Sequence, residues 1–147
     1  MNTALHKVLE QKGRHVYVTS PGQSVLDAVK SMRDKKVGSL IVVEEGKPIG
    51  VFTERDVLNR VVGAQLDPSK TSVSEVMTKN VAAVNPSTTV QQAMAIVTGM
   101  RYRHLPVMDG EELVGVVSIG DLTHWLVKKQ SFEIESLIRY ITGAYPA

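Results

Sequence analysis

The stretch Gly115-Val116-Val117-Ser118-Ile119-Gly120-Asp121 decides the reading of this chain. It is an apolar run that stops at a hydroxyl, with a carboxylate three residues further on. A twin, Gly50-Val51-Phe52-Thr53-Glu54-Arg55-Asp56, lies about 65 residues earlier and keeps glycine, β-rich run, hydroxyl and acid in register. Laid on itself at that offset, the sequence matches well beyond the motif and without a gap. Val16 falls on Val81, Pro21 on Pro86, Val25 on Val90, Ala28 on Ala93, Leu40 on Leu105 and Val42 on Val107. The chain therefore reads as two copies of one unit. A unit of roughly 47 residues sits near the lower limit for burying its own core, so the copies are expected to pack face to face as one domain.

Composition narrows the function classes. A chain of 147 residues with 43% apolar content buries a core without staples, and the absence of cysteine excludes disulfides, thiolate metal sites and cysteine nucleophiles. Met1 to Lys12 lacks the apolar core of a signal peptide, and no apolar run approaches the length of a membrane span, so a cytoplasmic protein is expected. A net charge of +2 is too small to argue for nucleic acid. His6, His15, His104 and His124 show no metal-ligand spacing, so no metal is expected.

In chain order, Leu5, Val8 and Leu9 recur at helical spacing and Gly13 stands as a C-cap. Val16-Tyr17-Val18 reads as a strand ended by Ser20-Pro21-Gly22, and Ser24 with Asp27 opens a helix striped by Val25, Ala28, Val29 and Met32. Leu40 to Val43 and Ile49 to Phe52 are two successive strands, after which Thr53 caps a helix through Val57, Leu58, Val61 and Val62. Ser72 to Glu75 caps one helical turn before Met77. The second copy repeats the order: strand Val81 to Val84, helix opened by Thr89 and Gln92, strands His104 to Met108 and Leu113 to Val117, helix Leu122 to Lys128. A separate last helix is expected, capped by Ser131, striped by Ile134, Leu137, Ile138 and Ile141, and ended by Gly143. The expected division is an N-terminal helix (1–13), a first repeat (14–63), a linker (64–77), a second repeat (78–129) and a C-terminal helix (130–147).

The repeated motif places a hydroxyl and a carboxylate at a strand-to-helix junction, where free backbone N–H groups favour an anion. A carboxylate there can accept hydrogen bonds from a ribose diol, as acidic residues do in dinucleotide-binding folds. Thr53 with Asp56 and Ser118 with Asp121 are equally the spacing of helix caps. For one isolated copy the cap is the better reading; two copies in register favour a nucleoside phosphate. Catalysis finds no support, since there is no P-loop, dinucleotide fingerprint, nucleophile elbow or cysteine.

These residues, with Arg101-Tyr102-Arg103-His104-Leu105-Pro106-Val107 and the Pro21 and Pro86 turns, resemble a tandem pair of CBS (cystathionine-β-synthase) domains, a Bateman module, over about residues 14 to 128. The flanks resemble small stand-alone members of the family. The resemblance implies an α/β (α+β) fold of two β-α-β-β-α repeats related by a pseudo-twofold axis, with short terminal helices. It further implies a homodimer, and two clefts for adenosine ligands such as AMP, ADP, ATP, NAD or S-adenosylmethionine. Carried over, Asp56 and Asp121 hold ribose, with Thr53 and Ser118 beside them. Lys12, Val16, Tyr17, Ile41, Met77, Thr78, Asn80, Ala82, Pro106 and Gly120 surround adenine or line the clefts, and Arg55, Arg103 and His104 face phosphate. Arg103 is expected to give more affinity than His104, because a guanidinium bonds phosphate bidentately. Gly38-Ser39 stands where the second copy has Arg103-His104, so the clefts are expected to differ, one suiting a mononucleotide and the other a longer species such as NAD. The implied function is a regulatory sensor acting on an unidentified protein partner, without membrane or nucleic acid. The alternative is a constitutive interaction scaffold with non-functional clefts.

Overall fold

The computed structural model describes residues 3–13, 15–79, 82–100 and 103–143, with the side chains of 129–134 and 136 outside the description. It has the mixed α and β architecture of two repeats. In the first, β1 (Val18–Thr19), α2 (Val25–Lys35), β2 (Ser39–Glu44) and β3 (Lys47–Thr53) run in the expected order. The β2–β3 hairpin is antiparallel; β1 joins β2 in parallel and β4 (Thr78–Lys79) joins β3 antiparallel, giving the sheet order β1-β2-β3-β4. In the second, α5 (Val90–Gly99) precedes an antiparallel pair, β5 (His104–Asp109) and β6 (Glu112–Ser118).

The first strand of each copy departs from expectation. Val18–Thr19 is shorter than the expected Val16-Tyr17-Val18, beginning two residues later and ending one residue later. In the second copy the strand shrinks to one parallel bridge from Val84 to Val107, held by Val84 N donating to Pro106 O at 3.0 Å and Met108 N to Val84 O at 2.7 Å. Thr19 opposite Val42 is its counterpart. Val81 lies outside the described residues.

Helix starts follow their caps. The Ser24 hydroxyl accepts Asp27 N–H at 3.1 Å, and Thr53, Thr89 and Ser118 each form reciprocal capping boxes with the residue three positions on. Thr53 opens α3, an α-helical turn (Glu54–Asp56) that continues as a π-helix (Val57–Val62). The expected apolar stripe there is broken by the wider winding. Only Val61 is fully buried, whereas Leu58 and Val62 face solvent.

One correction concerns the C-terminus. Helix α6 (Ile119–Thr142) is continuous, so Ser131 is an interior residue and no separate C-terminal helix begins there. The segment between Gly120 and Gly143 holds neither glycine nor proline, and an interior serine costs only a fraction of a kcal/mol, at most ~0.7. The C-terminal helix is consequently long rather than short, ending at Gly143 in the left-handed conformation. Helix α1 (Leu5–Lys12) forms where expected and ends at Gly13, and its packing partner is the finding. Leu5 N donates to Thr88 O and Val90 N to Thr3 O, both at 2.8 Å, which ties α1 to the second repeat across the whole first one. The linker does the same for the first repeat: Val73 N donates to Gln23 O and Val25 N to Thr71 O, both at 2.8 Å, at α4 (Val73–Val76).

Each repeat thus receives its lid from the segment preceding the other. Leu5, Val8 and Leu9 join Val84, Val90, Ala93, Val97, Leu105, Val107, Val117 and Leu122 in one core. Val73, Val76 and Met77 join Val25, Ala28, Met32, Leu40, Val42, Phe52 and Val61 in the other.

Candidate functional site

Both motif carboxylates lie at the strand-to-helix junctions that the sequence placed there, and their environments differ. In the first copy the burial of the β3 end leaves the Asp56 side chain 7% exposed. Its Oδ2 accepts Thr53 N–H at 3.0 Å and the Thr53 hydroxyl at 3.1 Å, while Asp56 N donates back to Thr53 Oγ1 at 3.2 Å. Oδ1 accepts the Thr78 hydroxyl at 3.2 Å and faces Arg60 Nε at 3.8 Å. Arg60 is fixed by donating to Val76 O at 3.3 Å and Met77 O at 3.0 Å.

Around this carboxylate opens a cleft of about 570 Å³, within the range of roughly 300–1,000 Å³ typical of small-molecule sites. Thr53, Asp56 and Thr78 line one part; Gly38 and Ser39 line it together with their second-copy counterparts Arg103 and His104; Arg55 comes from α3, and Asn59 and Arg60 from the π-helix that continues it. Three guanidinium groups face two carboxylates, Glu54 and Asp56. His104 is held below the ordinary histidine value, first by burial, then by the Lys12 ammonium and Arg103, against the opposing pull of Asp121 and Asp56. The shift favours the neutral imidazole, a hydrogen-bonding group beside the guanidinium groups of the cleft.

In the second copy Asp121 Oδ2 accepts Ser118 N–H at 2.8 Å, and Asp121 N donates to Ser118 Oγ at 3.1 Å. Lys12 Nζ also donates to Asp121 Oδ2, and to Val116 O at 2.7 Å. Burial pushes the Asp121 carboxyl up, but the Lys12 ammonium and the Ser118 donors together bring it below the usual carboxylate value. The adjoining depression, about 160 Å³, is lined by Val8, Gln11, Lys12, Asp121, His124, Trp125 and Lys128.

The remaining expected residues distribute unevenly. Arg55, Arg103 and His104 converge with Thr53, Asp56 and Thr78 in the larger cleft. Ile41, Met77 and Pro106 are buried, Ala82 is half-buried against the second core, and none of them lines that cleft. Val16 and Tyr17 also stay out of its lining; the Tyr17 ring lies parallel to His15 at 6.3 Å between centroids and carries Lys35 Nζ 5.2 Å from its centre. Gly120 is exposed beside the Ser118 cap. Asn80 lies outside the described residues. Sequence reasoning missed Asn59 and Arg60; the spacing of Arg60 four residues after Asp56 was the available signal.

Among the described residues no helix is long and apolar enough to cross a membrane, and no group of three or more His, Cys, Asp or Glu is placed to hold a metal ion.

A pair of repeats of this order, with a cleft at the hydroxyl–carboxylate junction, is the architecture that comparison with known proteins also finds. The CBS domain family model matches twice, at residues 13–63 and 73–128, so the chain belongs to the CBS-domain family. The mitochondrial CBS domain-containing protein CBSX3 of Arabidopsis thaliana is 34% identical over 98% of this chain and 74% of its own length. A candidate signal-transduction protein with CBS domains from Burkholderia ambifaria superposes with a TM-score of 0.80 at 38% identity, covering 87% of this chain and 96% of that one. A hexameric CBS-CP12 protein from bloom-forming cyanobacteria gives 0.74 at 31% identity, covering 84% and 67%.

Proposed function

We propose that this protein is a non-catalytic sensor of adenosine-containing ligands, and that the cleft around Asp56 is its primary site. The observation that carries this reading is the convergence of Asp56, Thr53 and Thr78 with Arg55, Arg60 and Arg103 in one cleft of about 570 Å³. A carboxylate suits a ribose diol, and guanidinium groups suit phosphate. AMP, ADP, ATP, NAD and S-adenosylmethionine are the ligand candidates, and the arginines favour those carrying phosphate. Occupancy would stabilise one arrangement of the two repeats, read by a partner protein, which requires different affinities for two states. A cytoplasmic setting, where these ligands are dissolved, and a homodimer belong to the same reading; the exposed Leu137, Ile138, Tyr140 and Ile141 of α6 supply an apolar face for a second chain.

The alternative, a constitutive interaction scaffold, draws on one observation: both motif carboxylates already have internal partners. Thermal denaturation against the five ligands, with guanosine counterparts and an Asp56→Ala variant, separates the two. The sensor reading expects a selective rise, about 2.7 kcal/mol of stabilisation at a hundredfold excess over Kd, which the variant loses. The scaffold reading expects no shift from any of them.

A further inference from the structure

The two segments that close the repeats enter equivalent places and then part ways. After Met77 the linker leaves its single helical turn and becomes strand β4, which pairs with β3 and lays Thr78 beside Asp56. The N-terminal segment instead remains helical through Lys12, and the last turn of α1 sets the Lys12 ammonium on Asp121 and on the Val116 carbonyl. A hydroxyl leaves a carboxylate able to accept further hydrogen bonds from a ligand. An ammonium neutralises it and takes up the space in front of it. The volumes agree: about 570 Å³ beside Asp56 against about 160 Å³ beside Asp121, the latter below the range of roughly 300–1,000 Å³ that small-molecule sites occupy.

We propose that Lys12 is the internal occupant of the second cleft, so that each chain takes one adenosine ligand, at Asp56, while Asp121 is held by its own α1. The inference rests on the nucleotide reading of the cleft. Lys12 is then the residue that sets the number of sites. Its side chain is 31% exposed and lies at the end of α1, one turn beyond Val8 and Leu9 and outside the apolar set of the second core, so replacing it removes no side chain from that core.

Isothermal titration with AMP and with ATP tests this on the full chain. Wild type and Lys12→Arg should bind one equivalent, and Lys12→Ala two. Asp56→Asn should remove the wild-type equivalent, and Asp121→Asn should leave it. Two equivalents in wild type, one equivalent in Lys12→Ala, or a wild-type equivalent lost with Asp121→Asn instead of Asp56→Asn each overturns the proposal. The lock is also read without nucleotide, by following the Asp121 carboxyl carbon by NMR as pH is lowered. It should titrate below the ordinary carboxylate value in wild type and higher in Lys12→Ala. The same titration in both proteins overturns the lock, whereas no binding of either nucleotide to wild type, with the titration difference present, overturns the nucleotide reading alone.

Discussion

The Leu9 side chain fills the space that a side chain on Gly115 would need: a Cβ built there falls 2.7 and 2.8 Å from the two Leu9 methyl carbons. Gly50 stands in the same relation to Met77, whose sulfur comes within 2.7 Å of the corresponding point, with Thr78 O at 2.8 Å. The glycine that opens each repeated motif is therefore the seat of the lid helix or strand that comes from outside the repeat.

Gly115→Ala and Gly50→Ala should each destabilise the protein by about 1–3 kcal/mol, the usual cost of an overpacked core. Gly50→Ala is expected to cost more, since a backbone carbonyl yields less than the end of a leucine. Gly22→Ala, with nothing within 4 Å, is the control and should be nearly neutral in urea denaturation. Equal effects at all three positions would contradict the lid geometry.

Helix α1 is structural for the distant repeat. Leu5 is fully buried in the second core, so Leu5→Ala should cost about 2–5 kcal/mol. Hydrogen exchange locates the damage: amides of β5 and β6 should lose protection more than those of β2 and β3. Loss concentrated in β2 and β3 would assign α1 to its sequence neighbour instead.

The Thr53 and Ser118 caps should each contribute about 0.5–2 kcal/mol, measured as the loss of stability in Thr53→Ala and Ser118→Ala. Serine at position 53 and threonine at 118 should restore nearly all of it. If neither alanine variant changes the denaturation midpoint, the capping boxes contribute nothing to stability.

Acid should weaken the fold in two windows. His104 has a folded value below its ordinary 6.5, so the unfolded chain binds the proton first, and its contribution is full above about pH 6.5 and lost as pH falls through the folded value. Asp121, depressed below 3.8, contributes above that pH and loses its part on further acidification. His104→Gln should flatten the stability profile as pH falls below about 6.5, and Asp121→Asn the profile at the acid end. Unchanged profiles in both variants would show that neither group is linked to folding.

The caps, the helix stripe of α2, the two successive strands of each hairpin and the duplication itself were legible in the residues, because each depends on groups within a few positions of one another or on comparing the chain with itself. Thr89 needs only Gln92 to make its box, and the resemblance between the copies needs only comparison of the chain with itself. Helix α6 was misread for the same local reason: Ser131 looks like a cap, yet with no glycine or proline to break the chain, continued backbone hydrogen bonding prevails.

What only the tertiary structure decided is where each lid goes and what it does on arrival. Leu9 meets Gly115 and Lys12 meets Asp121 across more than a hundred residues, contacts fixed by burial and charge with no trace in any period of the sequence. The sequence by itself determined two repeats in register, unlike in the residues that flank their clefts but alike in the carboxylates, each of which follows a hydroxyl at a helix start. The fold made them unequal, because a strand passes one carboxylate and a helix ending in lysine passes the other, and electrostatics in a half-buried site follows the nearest charge.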